Sequence, residues 1–324
     1  MQVWQALTDG APVVITAHQD LDGDGIGASL ALWHALRGAG IRCVQIFESP
    51  IPAIYEFLPG LDQRANSVDE LPDRFQLAVV DCSSLGRIGS LAGHMDRVDR
   101  IVNIDHHVTN GLFGHVNYVE RDVSSCGELV YRILEAGGVA ITKEIADCVF
   151  TAMLTDTGRF CHANSTAQCF EICADLVRAG ARPYELADKI YYSPPPAVVR
   201  LQALAMGTLE LEDEGRLATM QISDGMFRET GTRAADTQGF ADIPVFAKGV
   251  DVSVLLKELP DASGNLGIKV SLRSRPGDDG VDVCAVAKAF GGGGHRHAAG
   301  FELEGSLAEA RATVLDRLRR GTRS

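Results

Sequence analysis

No Cys-x-x-Cys pair occurs in the 324 residues, although eight cysteines are scattered along them: Cys43, Cys82, Cys126, Cys148, Cys161, Cys169, Cys173 and Cys284. That spacing argues against structural zinc and suits reduced core thiols better than a disulfide framework. Residues 1–12 hold no Lys or Arg and no long apolar run, and no later run reaches about 18 apolar residues. Neither a secretory signal nor a membrane span is read there, and a cytoplasmic location is expected. Positive charge is scarce: 30 Lys and Arg against 43 Asp and Glu give a formal net charge of −13. Such a field repels polyanions, so long duplex nucleic acid is excluded as a partner and any nucleic-acid substrate should be short and locally held. Internal repeats are missing too. What is present, 46% hydrophobic and 23% charged residues, is the composition of a globular protein, long enough for two domains.

Apolar runs of strand length recur at 13–16, 41–47, 77–80 and 101–104, and between them 25–38 and 126–136 carry Leu, Ala and Trp at helical spacing. This alternation predicts an α/β fold with a doubly wound, mainly parallel sheet, whose ligands bind beyond the carboxyl ends of the strands. Ser193-Pro194-Pro195-Pro196 breaks the pattern. We therefore expect a first domain over 1–193, a linker helix over 194–209 and a smaller α+β domain over 210–324. Strands are expected there at 217–222, 250–256 and 267–272, with a short helix at 283–290 before Gly291-Gly292-Gly293-Gly294.

Four segments carry the chemistry. The first, His18-Gln19-Asp20-Leu21-Asp22-Gly23-Asp24-Gly25, follows the first apolar run and crowds like charges that a hard divalent cation would neutralise. A solvated Asp-rich loop is the plain alternative. The same stretch matches Gly-x-Gly-x-x-Ala at Gly23, Gly25 and Ala28, with Glu48 further on, but Asp22 and Asp24 would face a dinucleotide's pyrophosphate, which needs bare amides. The second segment is Asp81 after 77–80, followed by Arg87. The third is Asp105-His106-His107 with Asn110, where adjacent imidazoles point in different directions and Asp105 can fix a tautomer. The fourth is Asp156 in Thr155-Asp156-Thr157-Gly158, taken, like Asp81, as an acid at a strand end. A helix cap or an exposed loop would explain each of these alone. Together His18, Asp22, Asp24, Asp81, His106 and Asp156 offer four carboxylates and two imidazoles, a set suited to two Mn²⁺ and adequate for Mg²⁺ or Co²⁺. In the C-terminal part, Gly291 to Gly294 with His295, Arg296 and His297 reads as an anion-binding nest of free amides or, alternatively, as a flexible linker. Arg273 and Arg275 end a preceding strand.

These motifs, in this order, resemble the DHH phosphoesterase family, named for the triplet present here as Asp105-His106-His107. The likeness spans nearly the whole chain and is strongest to the two-domain branch of nanoRNases, phosphatases of 3′-phosphoadenosine 5′-phosphate (pAp), and cyclic-di-AMP or pApA phosphodiesterases. It implies one cation on His18, Asp22, Asp81 and Asp156 and a second on Asp24, Asp81, His106 and Asp156. It also implies His107, steadied by Asp105, at the scissile phosphate. Arg273, Gly292, Gly293, Gly294 and His295 are implied as substrate contacts in the second domain, with the active cleft between domains and a homodimer as the assembly. The chain departs from the family pattern at Ala28, where relatives often carry Ser, and at Gly25, where Ala is frequent. The rivals are a family-II-like inorganic pyrophosphatase and a non-catalytic nucleotide-binding regulatory module.

Overall fold

The computed structural model describes residues 2–260, 265–275, 277 and 280–321. They form two compact units, Met1–Ser193 and Pro194–Ser324. Among the described residues no helix is long and apolar enough to cross a membrane.

After helix α1 (Gln2–Leu7), the first unit is built on β1 (Val13–Thr16), β2 (Cys43–Gln45), β3 (Phe75–Val80), β4 (Val98–Asp105) and β5 (Val116–Val119). All neighbours run parallel in the order β2-β1-β3-β4-β5. The chain winds outward from β1 to β2 and then returns to the other side of β1, so the direction of winding reverses between β1 and β3. The crevice outside their carboxyl ends is where such a sheet receives ligands. β1 and β3 are buried at every position, as continuous Val, Ile and Leu runs in a sheet covered on both faces must be. One face carries α2 (Gly23–Gly38), α3 (Cys126–Ala136), α4 (Lys143–Asp156) and α5 (Ala167–Arg178). There Ile15, Val80 and Ile104 belong to one core with Ile26, Leu129 and Val149. The opposite face is closed by short 3₁₀ turns, with Ile88 and Leu91 among Val14, Leu77 and Val79. Helix α6 (Pro183–Ala187) and a π-helical turn at Asp188–Tyr192 end the unit.

One sequence expectation is corrected here. The apolar stretch 148–154 is the inner side of α4, not a strand, and Asp156 ends a helix. Thr142 caps that helix by accepting from the Ile145 amide, and Lys143 pairs with Asp147 one turn on. Two glycines of α2 then let it approach α4 closely: a Cβ on Gly27 would lie 2.5 Å from the Cys148 carbonyl oxygen, and one on Gly23 2.4 Å from Thr155 Oγ1. That approach draws Asp156 toward the start of α2.

The second unit comprises α7 (Pro196–Met206), β6 (Glu210–Glu212), β7 (Leu217–Ile222), α8 (Asp224–Thr230), α9 (Asp242–Val245), β8 (Val252–Pro260), β9 (Leu266–Ser274), α10 (Val283–Lys288), β10 (Gly293–His295), β11 (Ala298–Leu303) and α11 (Leu307–Gly321). Its mixed sheet has the order β10-β11-β9-β8-β7-β6, with β7 and β8 parallel. Alternation along β8 feeds two cores: Val254 and Leu256 pack with Val286, Val314 and Leu318, while Leu255 packs with Leu201, Met220 and Phe227.

The glycine run is neither a flexible linker nor a row of open amides. The Gly291 and Gly292 amides donate to the Lys288 and Ala287 carbonyls at 3.1 and 3.0 Å, closing the end of α10. A helix terminus needs such donors, and that need consumes amides expected to bind an anion. Gly293 and Gly294 enter β10 opposite Gly300 and Ala299, and a Cβ on Gly292 would lie 2.1 Å from the Gly300 oxygen. Glycine at 292 thus serves close strand packing, and the amide expected to face substrate donates to the Ala287 carbonyl.

Candidate functional site

Three strand ends deliver loops to the reversal point of the first sheet. Beyond β1 the chain passes His18 and reaches Asp22, the N-cap of α2, whose Oδ1 accepts from the Asp24 and Gly25 amides at 3.1 and 3.0 Å. Beyond β3 comes Asp81, in left-handed backbone at φ +54°. A non-glycine residue there costs about 1–3 kcal/mol and persists where the surroundings force it, commonly at a functional site. Here the Asp81 amide donates to the Ile104 carbonyl at 2.9 Å, tying the two strand ends together. Beyond β4 come His106 and His107, both buried, so an exposed histidine loop is ruled out.

The side chains converge. His18 Nε2 lies 3.4 Å from Asp81 Oδ2 and 3.8 Å from Asp22 Oδ2. His106 Nε2 lies 3.6 Å from Asp24 Oδ2, 3.6 Å from Asp81 Oδ1 and 3.8 Å from Asp156 Oδ2. All six residues singled out as metal ligands in the sequence therefore meet in one place, with Asp81 between the two imidazoles. Gly25 stands where its Cβ would come 3.4 Å from Asp81 Oδ2 and 3.2 Å from the Ala17 Cβ, so this departure from the family pattern leaves room beside the cluster.

Two supports were not foreseen. The buried Asp24 accepts from the Cys126 and Gly127 amides at 2.7 and 2.9 Å, the positive end of α3. The Ser125-x-x-Glu128 spacing before an apolar run marks that helix start, and Ser125 Oγ does accept from the Glu128 amide at 3.2 Å, yet nothing local links it to a residue 102 positions earlier. Asn164 donates to the Ser124 carbonyl at 2.7 Å and reaches Asp156 Oδ2 at 3.4 Å.

The electrostatics favour cations. Burial, then the charges of Asp81, Asp156 and Asp22, hold the Asp24 carboxyl well above the usual range, against the pull of the Cys126 amide. Burial and the neighbouring carboxylates raise Asp156 to about 6, although His106 opposes the rise. Asp81 goes the other way: burial would raise it, but the His18 hydrogen bond and the charges of His18, His107 and His106 lower it. Asp156 also sits at the negative end of a helix, where a carboxylate is unfavourable. His18 Nδ1 is buried with no hydrogen-bond partner among the described residues. Carboxylate and imidazole donors so crowded fit hard or borderline divalent cations, which would remove the repulsion. Cys126 Sγ stands within the cluster, 3.6 Å from Asp81 Oδ1.

His107 is turned to other work. Its ring stands at 75° to that of His106, and its Nδ1 is 2.7 Å from Asp105 Oδ1. Burial alone would lower its pKa, but the Asp105 hydrogen bond and the charges of Asp81 and Asp105 raise it to about 9. In the second unit, the register sets Arg273 and His295 on either side of the same β11 residue, Ala298. Directly paired residues share a sheet face, so the two point to one side. Arg273 Nε donates to Asp242 Oδ1 at 2.7 Å.

Comparison with known proteins gives the family. Residues 12–153 match the DHH family, N-terminal domain, and 215–320 match the DHHA1 domain. The bifunctional oligoribonuclease and PAP phosphatase NrnA of Thermus thermophilus is 33% identical over 309 residues, 95% of this chain and 89% of that protein. Its namesake in Bacillus subtilis is 23% identical over 303 residues, 90% of this chain and 89% of that one. Among solved structures, an exopolyphosphatase-related protein from Bacteroides fragilis superposes with a TM-score of 0.86 at 26% identity, covering 98% of this chain and 94% of the other. The loops that carry His18, Asp22, Asp24, Asp81 and His106 lie within the DHH match, and Asp156 follows its end by three residues; the chain belongs to the DHH family of phosphoester-hydrolysing enzymes, with a DHHA1 domain following.

Proposed function

We propose that this enzyme hydrolyses short oligoribonucleotides and pAp to nucleoside monophosphates with two divalent cations, Mn²⁺ foremost. The observation that carries the proposal is the meeting of four carboxylates and two imidazoles at the reversal point of the first sheet. His18, Asp22, Asp81 and Asp156 would hold one ion and Asp24, Asp81, His106 and Asp156 the other. Bound there, such ions supply Lewis acidity, polarising a phosphoryl oxygen and acidifying water for in-line displacement.

The chain's own residues do the rest. Asp81 and Asp156 anchor the centre from a strand end and a helix end, and the α3 amides hold Asp24 in place. His107, kept in one orientation by Asp105, presents its imidazole to the scissile phosphate and steadies its charge. Residues 1–193 act as the catalytic domain, 194–209 as the linker and 210–324 as the substrate-binding domain. In the last of these Arg273, Gly293, Gly294 and His295 take the phosphate that is not cleaved, through charge-assisted hydrogen bonds. The names of the two curated relatives support this substrate class.

The test is side-by-side hydrolysis of pAp, pApA, cyclic-di-AMP, very short RNA and inorganic pyrophosphate with Mn²⁺, Mg²⁺ or Co²⁺. Cleavage of short RNA and pAp to monophosphates, abolished by chelation, is expected. Faster hydrolysis of inorganic pyrophosphate than of any nucleotide would overturn the reading.

A further inference from the structure

Asparagines at 103, 110 and 117 recur at intervals of seven and meet in space. Asn103 on β4 stands opposite Asn117 on β5 and donates to its Oδ1 at 3.1 Å. Asn103 also donates to Asn110 Oδ1 at 2.9 Å, and Asn110 returns the bond to Asn103 Oδ1 at 3.3 Å. Asn110 Nδ2 then reaches Asp105 Oδ2 at 2.5 Å and the Cys82 carbonyl at 3.2 Å. At the far end the Asn117 amide is locked by Gly114, whose carbonyl accepts at 2.7 Å and whose N–H donates at 3.0 Å. A Cβ on Gly114 would lie 2.9 Å from both the Asn103 Cβ and Asn117 Oδ1, so this glycine makes room for the ladder.

Asp105 has two oxygens. One receives His107 Nδ1 and the other receives Asn110, so the carboxylate cannot rotate without breaking one bond or the other. We infer that Asn110, backed by Asn103 and Asn117, is a positioning residue that fixes the Asp105–His107 pair and thereby the aim of His107. The side-chain hydrogen bonds of Asn110 go to Asn103, Asp105, the Cys82 carbonyl and the Leu112 amide, and to none of the six candidate metal ligands. The same amide bonds the loop after β3, so the ladder also joins the strand end that bears Asp81 to the one that bears His107. A hydrogen-bonded partner behind a functional histidine is typically worth about ten- to a hundredfold in activity. The inference rests on the reading of His107 as the phosphate-facing histidine.

The experiment uses the full chain loaded with Mg²⁺. In Asn110→Ala, kcat on pApA should fall about ten- to a hundredfold with KM and metal content unchanged. The downfield imidazole N–H resonance of His107, assigned by its absence in His107→Ala, should shift or vanish. Asn117→Ala, on the edge strand, should give the same changes at smaller size, and it keeps the test open if Asn110→Ala fails to fold. An unmoved resonance and unchanged kcat in a folded variant would overturn the inference. So would a kcat loss that follows the melting temperature and disappears on cooling. Should His107→Ala itself keep full kcat, the role given to His107 fails, while the resonance in Asn110→Ala still decides whether the ladder holds the imidazole.

Discussion

The carboxyl edge of the first sheet and the glycine hairpin of the second unit treat charge in opposite ways. At the first, four carboxylates are gathered around two buried imidazoles, one of them in strained backbone and one at the wrong end of a helix. At the second, Arg273 is already matched by Asp242, and half of the glycine amides are spent on capping α10. The first arrangement is unfavourable until cations arrive, so it points to a tightly held, permanent ligand. The second is satisfied by itself and can offer only a modest net gain to an anion that displaces a partner. If the first holds cations and the second receives the substrate's phosphate, as proposed, that is the difference expected between a cofactor site and a site that substrate enters and leaves.

Removing Asp81 should break the contrast most severely. Asp81→Ala strips the carboxylate that stands between both imidazoles, and kcat should drop about a thousandfold or more, with metal content well below two ions per chain by elemental analysis. A fully loaded, active Asp81→Ala protein would falsify the shared-ligand role. Chelation is next. If the carboxylate cluster is relieved by cations, a hundredfold excess over Kd contributes about 2.7 kcal/mol, and EDTA should lower the melting temperature by about 5–10 °C. An unchanged melting curve counts against a metal centre.

The hairpin should respond more mildly. His295→Ala is expected to raise KM for pAp and pApA, costing about one to two powers of ten in kcat/KM, while hydrolysis of bis-p-nitrophenyl phosphate stays near the parent rate. Equal losses on both substrates would move His295 into the chemical step. Gly27→Ala pushes a methyl toward a backbone carbonyl and should destabilise the protein by about 1–3 kcal/mol in denaturant titration, with a loss of metal affinity because Asp156 moves with α4. Retained affinity would show that helix spacing does not set the centre. The smallest effect belongs to Asp242→Asn. It leaves the half-exposed Arg273 without its counter-charge and should lower KM for pAp by only about two- to fivefold. A rise in KM would mean that Asp242 orients Arg273 rather than competing with substrate.

The parts of the centre that could be read from the chain are those that follow strands. His18, Asp81 and His106 each come within two residues of the end of a strand whose carboxyl-terminal half is buried, and periodicity alone places such residues at the carboxyl edge. Asp156 was legible as a donor but not in its setting, because an apolar stretch of seven residues suits a strand and a buried helix alike. The second layer of Asp24, the Cys126 and Gly127 amides, and that of Asp156, Asn164, left no local mark tied to the residue supported. The glycine run misled for a related reason. Four glycines announce backbone freedom or close approach, and only the neighbouring strand and helix end decide which.

By itself the sequence determined the alternation of strands and helices, the break at the three prolines, and which side chains could serve as donors, since all of these depend on residue type and short-range period. Tertiary structure alone decided that α2 and α4 lie close enough for Asp24 and Asp156 to face one imidazole, that α3 turns its amides on Asp24, that three asparagines join across β4 and β5, and that Arg273 already has a partner. Apart from the asparagine ladder, whose members stand seven and fourteen positions apart, these are contacts between residues tens to a hundred positions apart. Their existence depends on how apolar faces and glycines let elements pack, which no local pattern in the chain encodes.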